Sequence, residues 1–493
     1  MKLVPNWLRQ RLPQRYDYNV IVVGGGAAGL VSAYLTAGAQ ARVALVEKAR
    51  MGGDCLYTGC VPSKTLIRSA RLVHEMRHAQ AYGLDCGPVT VDFSQMMKRI
   101  QAVIRAIEPH DSIARYQQLG VACFQGEARL LSGHAVQVGE QVLTARRIIL
   151  ATGATPVIPD VPGLEDVPYL TSETIWSLSQ LPRHLVVVGG GPIGCELAQA
   201  FRRLGSEVTL IVHGSRILKR EDSEVSEHIQ SQFVTEGIAL CFEHDLSRVF
   251  SHGDEIVVQC QHGEEERRIC GDVLLLAIGR QPCVAGLGLE ELGVALGSHG
   301  ALHSDGTLRT SLPSVYCAGD VVGPYQFTHM AAHQAATAGM NALFDGLWRQ
   351  RVDLTLVPWA TFVDPEVARA GLNEQEAARQ GVAYEVSRYD YAELDRAVAD
   401  GRTSGWIKVL TVPGRDTILG VTIVGAQAGD SLAEFVLAMK SGLGLKKILS
   451  TIHIYPTLAE GGKQVAGVWQ KNHLPRWLWP WLARFHRWMR GGE

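Results

Sequence analysis

The sequence predicts an α/β fold built from two copies of one strand–turn–helix unit, followed by a separate α+β domain. Three features carry that reading. Tyr18–Val23 is a short apolar run that breaks into Gly24-Gly25-Gly26-Ala27-Ala28-Gly29 and then a helical stretch. His184–Val188 repeats the pattern, breaking into Gly189-Gly190-Gly191-Pro192-Ile193-Gly194 ahead of a helix over 195–204. From about 358 to 468 the glycine signatures give way to strand patterns such as 406–410 and a helix over 431–439, the alternation of a separate α+β domain.

Both glycine turns have the GxGxxG spacing, and a second strand follows each, over 42–46 and 207–212. A lone motif of this kind is weak, but a strand before it and a helix after it are the context of a Rossmann-like dinucleotide-binding unit. Gly24, Gly26 and Gly29, with Gly189, Gly191 and Gly194, therefore imply two bound dinucleotides, because only glycine lets backbone N–H groups approach a pyrophosphate closely. The apolar strands 148–153 and 273–280 end abruptly in Gly153 and Gly279 and read as crossings between domains. A further buried strand over 314–320 ends in the turn Gly319-Asp320. The expected division is 16–155 with 285–355 as one dinucleotide domain, 156–284 as the other, 356–470 as the α+β domain, and 471–493 as a tail.

Length and composition agree with this plan. A chain of 493 residues calls for three or four domains. With 46% hydrophobic and 19% charged residues and a net charge of -2, it lacks the basic balance that a nucleic-acid partner needs. Ten cysteines are scattered through it and only Cys55 and Cys60 form a close pair, which is unlike a secreted disulfide framework. Residues 1–18 are basic without an apolar core of signal-peptide length, and no uncharged apolar run reaches the roughly 18 residues of a membrane span. A cytoplasmic protein is expected.

The segment Gly52-Gly53-Asp54-Cys55-Leu56-Tyr57-Thr58-Gly59-Cys60-Val61-Pro62-Ser63-Lys64 carries the chemistry. Residues five apart on a regular helix rise about 7.5 Å, beyond the roughly 4.4–6.8 Å between the Cα atoms of a disulfide. A bridge here needs an irregular loop, which Gly59 permits. So short a loop gains little stability from a cross-link, so a bridge would serve redox chemistry; the alternative is two free cysteines that happen to be close.

With these motifs in this order, the chain resembles the class I pyridine nucleotide-disulfide oxidoreductases, the family of dihydrolipoamide dehydrogenase, glutathione reductase and mercuric reductase, over roughly 16–468. The resemblance implies a redox-active disulfide, with Cys55 as the interchange thiol and Cys60 as the thiolate beside the flavin. Lys64 resembles the lysine near the flavin ring, and Glu196 its ion-pair partner. It also implies FAD on the first motif, with Glu47 at the strand end toward a ribose diol and Asp320 toward the ribityl chain. The second motif implies NADPH or NADH. Eighteen residues after Gly194 stands Val212 rather than an acidic residue, and His213 and Arg216 follow; these lean toward a 2′-phosphate, whereas Gly194 itself is more typical of NAD sites. The C-terminal domain is expected to form a homodimer in which Tyr455 and Glu460 complete the partner's site.

One departure bears on the electron acceptor. Disulfide reductases of the family carry a histidine before Pro-Thr near the C-terminus; here Tyr455 precedes Pro456-Thr457, with His453 two positions earlier. A phenol with reference pKa near 10 is a poor proton shuttle beside an imidazole near 6.5. Tyrosine at this place, followed by Glu460-Gly461, is similar to the mercuric enzymes and implies a soft metal ion such as Hg(II), bound transiently by Cys55 and Cys60. The vicinal cysteines that usually end such enzymes have no match after Cys317, so a disulfide or a quinone stays open as acceptor, as does a non-catalytic flavoprotein subunit. The tail combines Trp477, Trp479, Trp481 and Trp488 with Arg476, Arg484, Arg487 and Arg490. That mixture suits peripheral membrane contact, packing on the dimer partner, or a disordered tail.

Overall fold

Strands that are apolar along their whole length need cover on both faces, which parallel sheets flanked by helices provide. The computed structural model contains two such sheets. It describes residues 15–345 and 347–491; the basic N-terminal stretch up to residue 14 and the last two residues of the tail lie outside the described residues. By internal contacts the chain divides into two compact units, one of residues 15–215 and 236–353, the other of residues 216–235 and 354–491.

In the first unit, β1 (Tyr18–Val23) leads through the glycine turn into α1 (Ala27–Gly38) and then β2 (Val43–Glu47). The helices α2 (Gly53–Tyr57) and α3 (Cys60–Arg77) follow, then β3 (Val121–Gln125), β4 (Ala128–Ser132), β5 (Ala135–Val138) and β6 (Gln141–Leu150). They form a seven-stranded sheet in the order β3-β2-β1-β6-β5-β4, with a late strand pairing in parallel on β6. Val20, Ile21 and Val22 are fully buried, and so are Ile148, Ile149 and Leu150 beside them.

The second sheet repeats the logic. Its strands β7 (Tyr169–Thr171), β8 (His184–Val188), β9 (Glu207–Val212), β10 (Ala239–Phe242) and β11 (Val273–Leu276) are all parallel, in the order β10-β9-β8-β11-β7. Helix α4 (Pro192–Leu204) follows β8. It starts three residues before the expected 195 because Pro192, whose fixed φ suits a first turn, can open a helix. The two glycine-ended crossings run side by side: Ala154–Pro156 pairs antiparallel with Arg280–Pro282. The strand β12 (Val315–Cys317) then returns to the first sheet, and α5 (Thr328–Phe344) packs against α1.

The second unit is a five-stranded antiparallel sheet of β13 (Trp359–Thr361), β14 (Glu366–Gly371), β15 (Glu385–Asp390), β16 (Trp406–Thr411) and β17 (Ile418–Gly425), in the order β13-β14-β17-β16-β15. It is covered by α6 (Ala428–Lys440) and α7 (Glu460–Asn472), around a core that includes Phe435, Val465 and Trp469. The helix Ser223–Thr235, inside the stretch expected for the second dinucleotide domain, belongs to this unit instead.

Electrostatics explain that assignment. Every residue of β16 is buried, including Lys408. Its ammonium donates to Asp222 Oδ2 at 2.7 Å, to Glu374 Oε1 at 2.6 Å and to Glu224. The three carboxylates converge as metal ligands would, but here a lysine supplies the cation. Arg369, with no exposed surface, pairs with Glu221 at 3.0 Å and Glu376 at 2.6 Å and lies 4.2 Å from the centre of the Trp359 ring. Burying a charge is costly unless partners surround it, so residues 221–224 are drawn to the sheet that holds Lys408 and Arg369.

Lys408→Met should therefore lower the stability of this unit by about 3–5 kcal/mol, the cost of stranding buried charge. Arg396→Ala, which removes the exposed Arg396–Asp400 pair, should cost under about 1 kcal/mol. Urea unfolding followed by tryptophan fluorescence compares the two, and equal small shifts would show that the Lys408 cluster is not what holds 216–235 in place.

Candidate active site

The cysteine segment folds as the spacing requires. Helix α2 stops after Tyr57, where the N–H groups of Thr58 and Gly59 both turn back to the carbonyl of Asp54, at 2.8 and 2.5 Å. A side chain at Gly59 would press on Asp54 O at 3.0 Å and on the Cys55 Cα at 3.2 Å, so the reversal needs glycine. The Trp176 indole N–H pins the loop by donating to Thr58 O at 2.8 Å. Cys60 then opens α3, and Lys64 lies one turn further on.

Both cysteines are free thiols, and Cys60 is the more exposed. They lie within hydrogen-bonding reach of each other, and the bond divides their chemistry. With the proton kept on Cys55 and donated to Cys60, the Cys60 pKa falls to about 6 and that of Cys55 rises far above the ordinary thiol range. Burial opposes charge on both sulfurs. The Thr328 hydroxyl, 3.4 Å from the Cys60 sulfur, and the positive charge of Lys64 favour the Cys60 thiolate. Lys64 is itself fixed by a 2.8 Å ion pair with Glu196, whose side chain is only 7% exposed. These residues come from α2, α3, α4 and the first residue of α5, and nothing local in the sequence marked Thr328.

The first glycine motif fits a dinucleotide such as FAD. A Cβ on Gly24, at φ +105°, would meet Ala151 O at 2.3 Å, and one on Gly29 would meet Gly24 O at 1.7 Å; these glycines serve the protein's own packing. Gly26 is different, since the nearest atom to its missing Cβ is the Gly53 Cα at 3.8 Å, which leaves backbone open to a phosphate. At the strand end the Glu47 carboxylate accepts from the N–H of Gly25 at 2.6 Å and of Ala49 at 2.7 Å. Each oxygen keeps a lone pair, enough for a diol. Beside it lies a cavity of about 570 Å³ lined by Glu47, Arg50, Met51, Tyr57, Glu108 and Phe124.

Gly319 and Asp320 follow β12. The Gly319 N–H donates to Gln334 Oε1 at 2.8 Å. Burial first, and then the charge of Asp54, push the Asp320 pKa up to about 6, against the pull of Arg280. Arg280 bonds Asp54 and lies 3.8 Å from Asp320. It thus joins the cysteine helix to the Gly-Asp turn, a role the sequence reading did not assign to it. Gly153, at φ +72°, and Gly279, at φ +145°, sit at the heads of the two paired crossings.

The second motif has the same division of labour. Gly189 and Gly194 are pressed by backbone, at 2.3 Å from Ala277 O and 1.9 Å from Gly189 O, while Gly191 faces open space. Val212 ends β9 buried. His213 is exposed and bonds the Asp245 carboxylate through Nδ1. Arg216 falls in the second unit, where its guanidinium meets Gln375 Oε1 and the Lys219 carbonyl.

In the second unit Tyr455 is 64% exposed, and its hydroxyl donates to Asp395 Oδ2 at 2.9 Å. That bond raises the phenol pKa above its ordinary value. His453 lies almost wholly inside, with Nε2 2.9 Å from Glu434 Oε1 and Nδ1 3.0 Å from Thr451 O. Glu460 begins α7 and accepts from Gln464 at 3.3 Å.

Two halves of one family pattern match this chain. The model described as pyridine nucleotide-disulphide oxidoreductase covers residues 18–339, and that of the same family's dimerisation domain covers 357–466. The chain belongs to the pyridine nucleotide-disulphide oxidoreductase family. Members of the family are flavoproteins that use FAD and NAD(P)H. The oxidoreductase is 35% identical over 457 residues to a mercuric reductase of Bacillus cereus, covering 93% of this chain and 72% of that one. It is 33% identical over 463 residues to a dihydrolipoyl dehydrogenase of Chlamydia muridarum, covering 93% and 96%. Among solved structures it resembles the HOCl-induced flavoprotein disulfide reductase RclA of Escherichia coli, determined as a Cu(II) complex, with a TM-score of 0.82, 27% identity, and 92% and 99% of the two chains covered.

In the reduced oxidoreductase, thiolate ultraviolet absorbance should rise with a midpoint near pH 6, below the usual thiol range of about 8–9. A lowered pKa means that charge is present above that pH, so Cys60→Ser should abolish this step. Cys55→Ala and Thr328→Val each remove a donor and should move it upward. An unchanged midpoint in Cys55→Ala would refute the division of roles between the two sulfurs.

Proposed function

We propose that this flavoprotein carries electrons from NAD(P)H through FAD and the Cys55–Cys60 pair to a soft metal ion, with Hg(II) as the model substrate. The observation that carries the choice of acceptor is Tyr455. Its phenol holds its proton at neutral pH, because the Asp395 carboxylate accepts that proton in a hydrogen bond and raises its pKa. The neighbouring imidazole of His453 is buried, with both ring nitrogens engaged by Glu434 and Thr451. A disulfide substrate needs a proton delivered to its leaving thiolate, whereas a soft cation needs only sulfur ligands. The mercuric reductase relatives and the Cu(II) complex of RclA agree with a metal acceptor.

Bound FAD supplies two-electron transfer between the nicotinamide and the cysteine pair. The pair takes up two electrons as its S–S bond breaks, leaving Cys60 as thiolate beside Thr328 and Lys64. After Cys55 loses its proton, both sulfurs bind Hg(II). The two electrons then pass to the metal, which leaves as Hg(0), and the S–S bond forms again. Lys64 and Glu196 position α3 and hold positive charge beside the reacting sulfur. We further propose a cytoplasmic homodimer in which Tyr455 and Glu460 of one protomer complete the cysteine site of its partner, and in which membrane contact through 471–493 is at most peripheral.

The second reading, reduction of a disulfide such as lipoamide, draws on the dihydrolipoyl dehydrogenase relatives. Anaerobic NADPH oxidation with Hg(II) and excess small thiol, run beside lipoamide and oxidised glutathione, separates the two. Turnover is expected with Hg(II) and not with the disulfides. Tyr455→His should then raise lipoamide reduction by about 10²-fold, the low end of general acid–base catalysis. Fast lipoamide turnover by the unaltered enzyme would sink the metal reading.

At the nicotinamide site we propose that the His213–Asp245 pair sets the preference between NADPH and NADH. The Asp245 carboxylate opposes a 2′-phosphate, so Asp245→Asn should shift the KM ratio toward NADPH by up to about fivefold, the scale of an exposed charge pair. An unchanged ratio would place discrimination elsewhere.

A further inference from the structure

We propose that residues 474–491 are a docking element for an anionic lipid bilayer, with their short helix lying in the plane of the membrane surface. The chain is well anchored up to His473. Trp469 is buried, His473 stacks on it with ring centres 4.2 Å apart, and His473 Nε2 lies 2.8 Å from Glu385. From Leu474 to Gly491, none of the residues whose burial is described is buried.

The helix that follows, α8 (Trp479–Met489), sorts its side chains by chemistry. At about 100° per residue, Trp481, Leu482, Phe485, Trp488 and Met489 share an arc of about 120°, and all five are exposed. Arg487 lies on the other side, Arg484 borders the arc with its guanidinium 5.9 Å from the centre of the Trp481 ring, and Arg490 caps the end. Trp477 and Trp479 add two more exposed indoles just before. An apolar arc rich in tryptophan with arginine opposite it is the pattern of an interfacial helix. Eleven residues make about 16 Å of helix, far short of the roughly 30 Å hydrocarbon core. No helix among the described residues is long and apolar enough to cross a membrane.

Charge selects the occupant. Residues 461–491 contain Lys463, Lys471, Arg476, Arg484, Arg487 and Arg490 and not one Asp or Glu. A second copy of this segment would bring like charges together, whereas a bilayer with anionic headgroups meets the cations and takes up the apolar arc. Neither signal alone anchors a protein firmly, but the two together do. The inference is independent of the electron acceptor, because it concerns where the enzyme sits rather than what it reduces.

The test is flotation of the full-length holoenzyme with vesicles of equimolar phosphatidylglycerol and phosphatidylcholine, beside vesicles of phosphatidylcholine alone. Binding is expected only to the anionic vesicles and should fade at high salt. Arg484→Glu with Arg487→Glu should weaken it by at least about 25-fold, since each surface cation is worth roughly fivefold. Trp481→Ser with Trp488→Ser should weaken it as well. All four sites are exposed, and retained flavin absorbance and native mass show that the variants fold, with no appeal to turnover. Failure to float, equal flotation of the charge-reversal variant, or lipid-free self-association that depends on Trp481 would overturn the proposal. The last outcome would assign the face to a second copy.

Discussion

The cysteine site depends on one ion pair. Lys64 lies one turn beyond Cys60, and its ammonium is held by Glu196, a residue 132 positions later in the chain. With its side chain nearly inaccessible, Glu196 would be a costly buried charge without that partner, and Lys64 would be free to turn away from the sulfur. The pair binds α3, which carries the thiol, to α4, which follows the second glycine turn. The two dinucleotide units are thereby registered at the point where electrons would pass between them. Arg280 adds a second tie by joining Asp54, next to Cys55, to Asp320 after β12. The site is thus a junction of remote elements, and its geometry follows from charge pairing more than from the loop that bears the cysteines.

Much of this was legible because some constraints are local. A glycine that must let backbone pass within contact distance has no substitute, so the two motifs stand out in any reading. Apolar strands such as Val20–Val23 or Leu185–Val188 show their burial directly. The irregular turn at Gly59 follows from the length of a helical turn. The rest was not legible, because it rests on pairings between residues 60 to 268 positions apart. Thr328 is an ordinary threonine until α5 brings it to Cys60. Asp395 means nothing beside Tyr455 until an antiparallel sheet and two helices set them together. The helix Ser223–Thr235 shows no sequence sign that it belongs with a sheet built 140 residues later; only the demand of Lys408 and Arg369 for carboxylates reveals it.

That demand also gives the dimerisation domain its character. A strand buried on both faces is ordinarily uniform in chemistry, yet β16 carries a lysine among Ile407, Val409 and Leu410. The complete cluster of charges adds little net stability relative to a well-packed apolar one, although removing one member strands the others. It does fix one arrangement, because a slipped register would leave the ammonium among apolar side chains. The cost of misplacing Lys408 or Arg369 therefore acts on the whole sheet and on the helix whose N-terminal residues supply their partners.

The same principle, that an unpaired charge is worse than none, governs the two sulfurs. A single hydrogen bond raises the pKa of Cys55 and lowers that of Cys60, so the pair holds one proton and one negative charge over the neutral range. This asymmetry suits any acceptor at the first step, since one sulfur is ready as a nucleophile and the other as a thiol. It does not decide what comes next. A disulfide acceptor would need the remaining proton passed on through a base, and at the segment that would supply one the phenol of Tyr455 is committed to Asp395 and the imidazole of His453 to Glu434. A soft cation removes the need, because binding to sulfur itself lowers the pKa of Cys55 and releases the proton to water. The division between the two thiols thus serves either class of acceptor, and it is the engagement of Tyr455 by Asp395 and of His453 by Glu434 that supports the proposed soft cation.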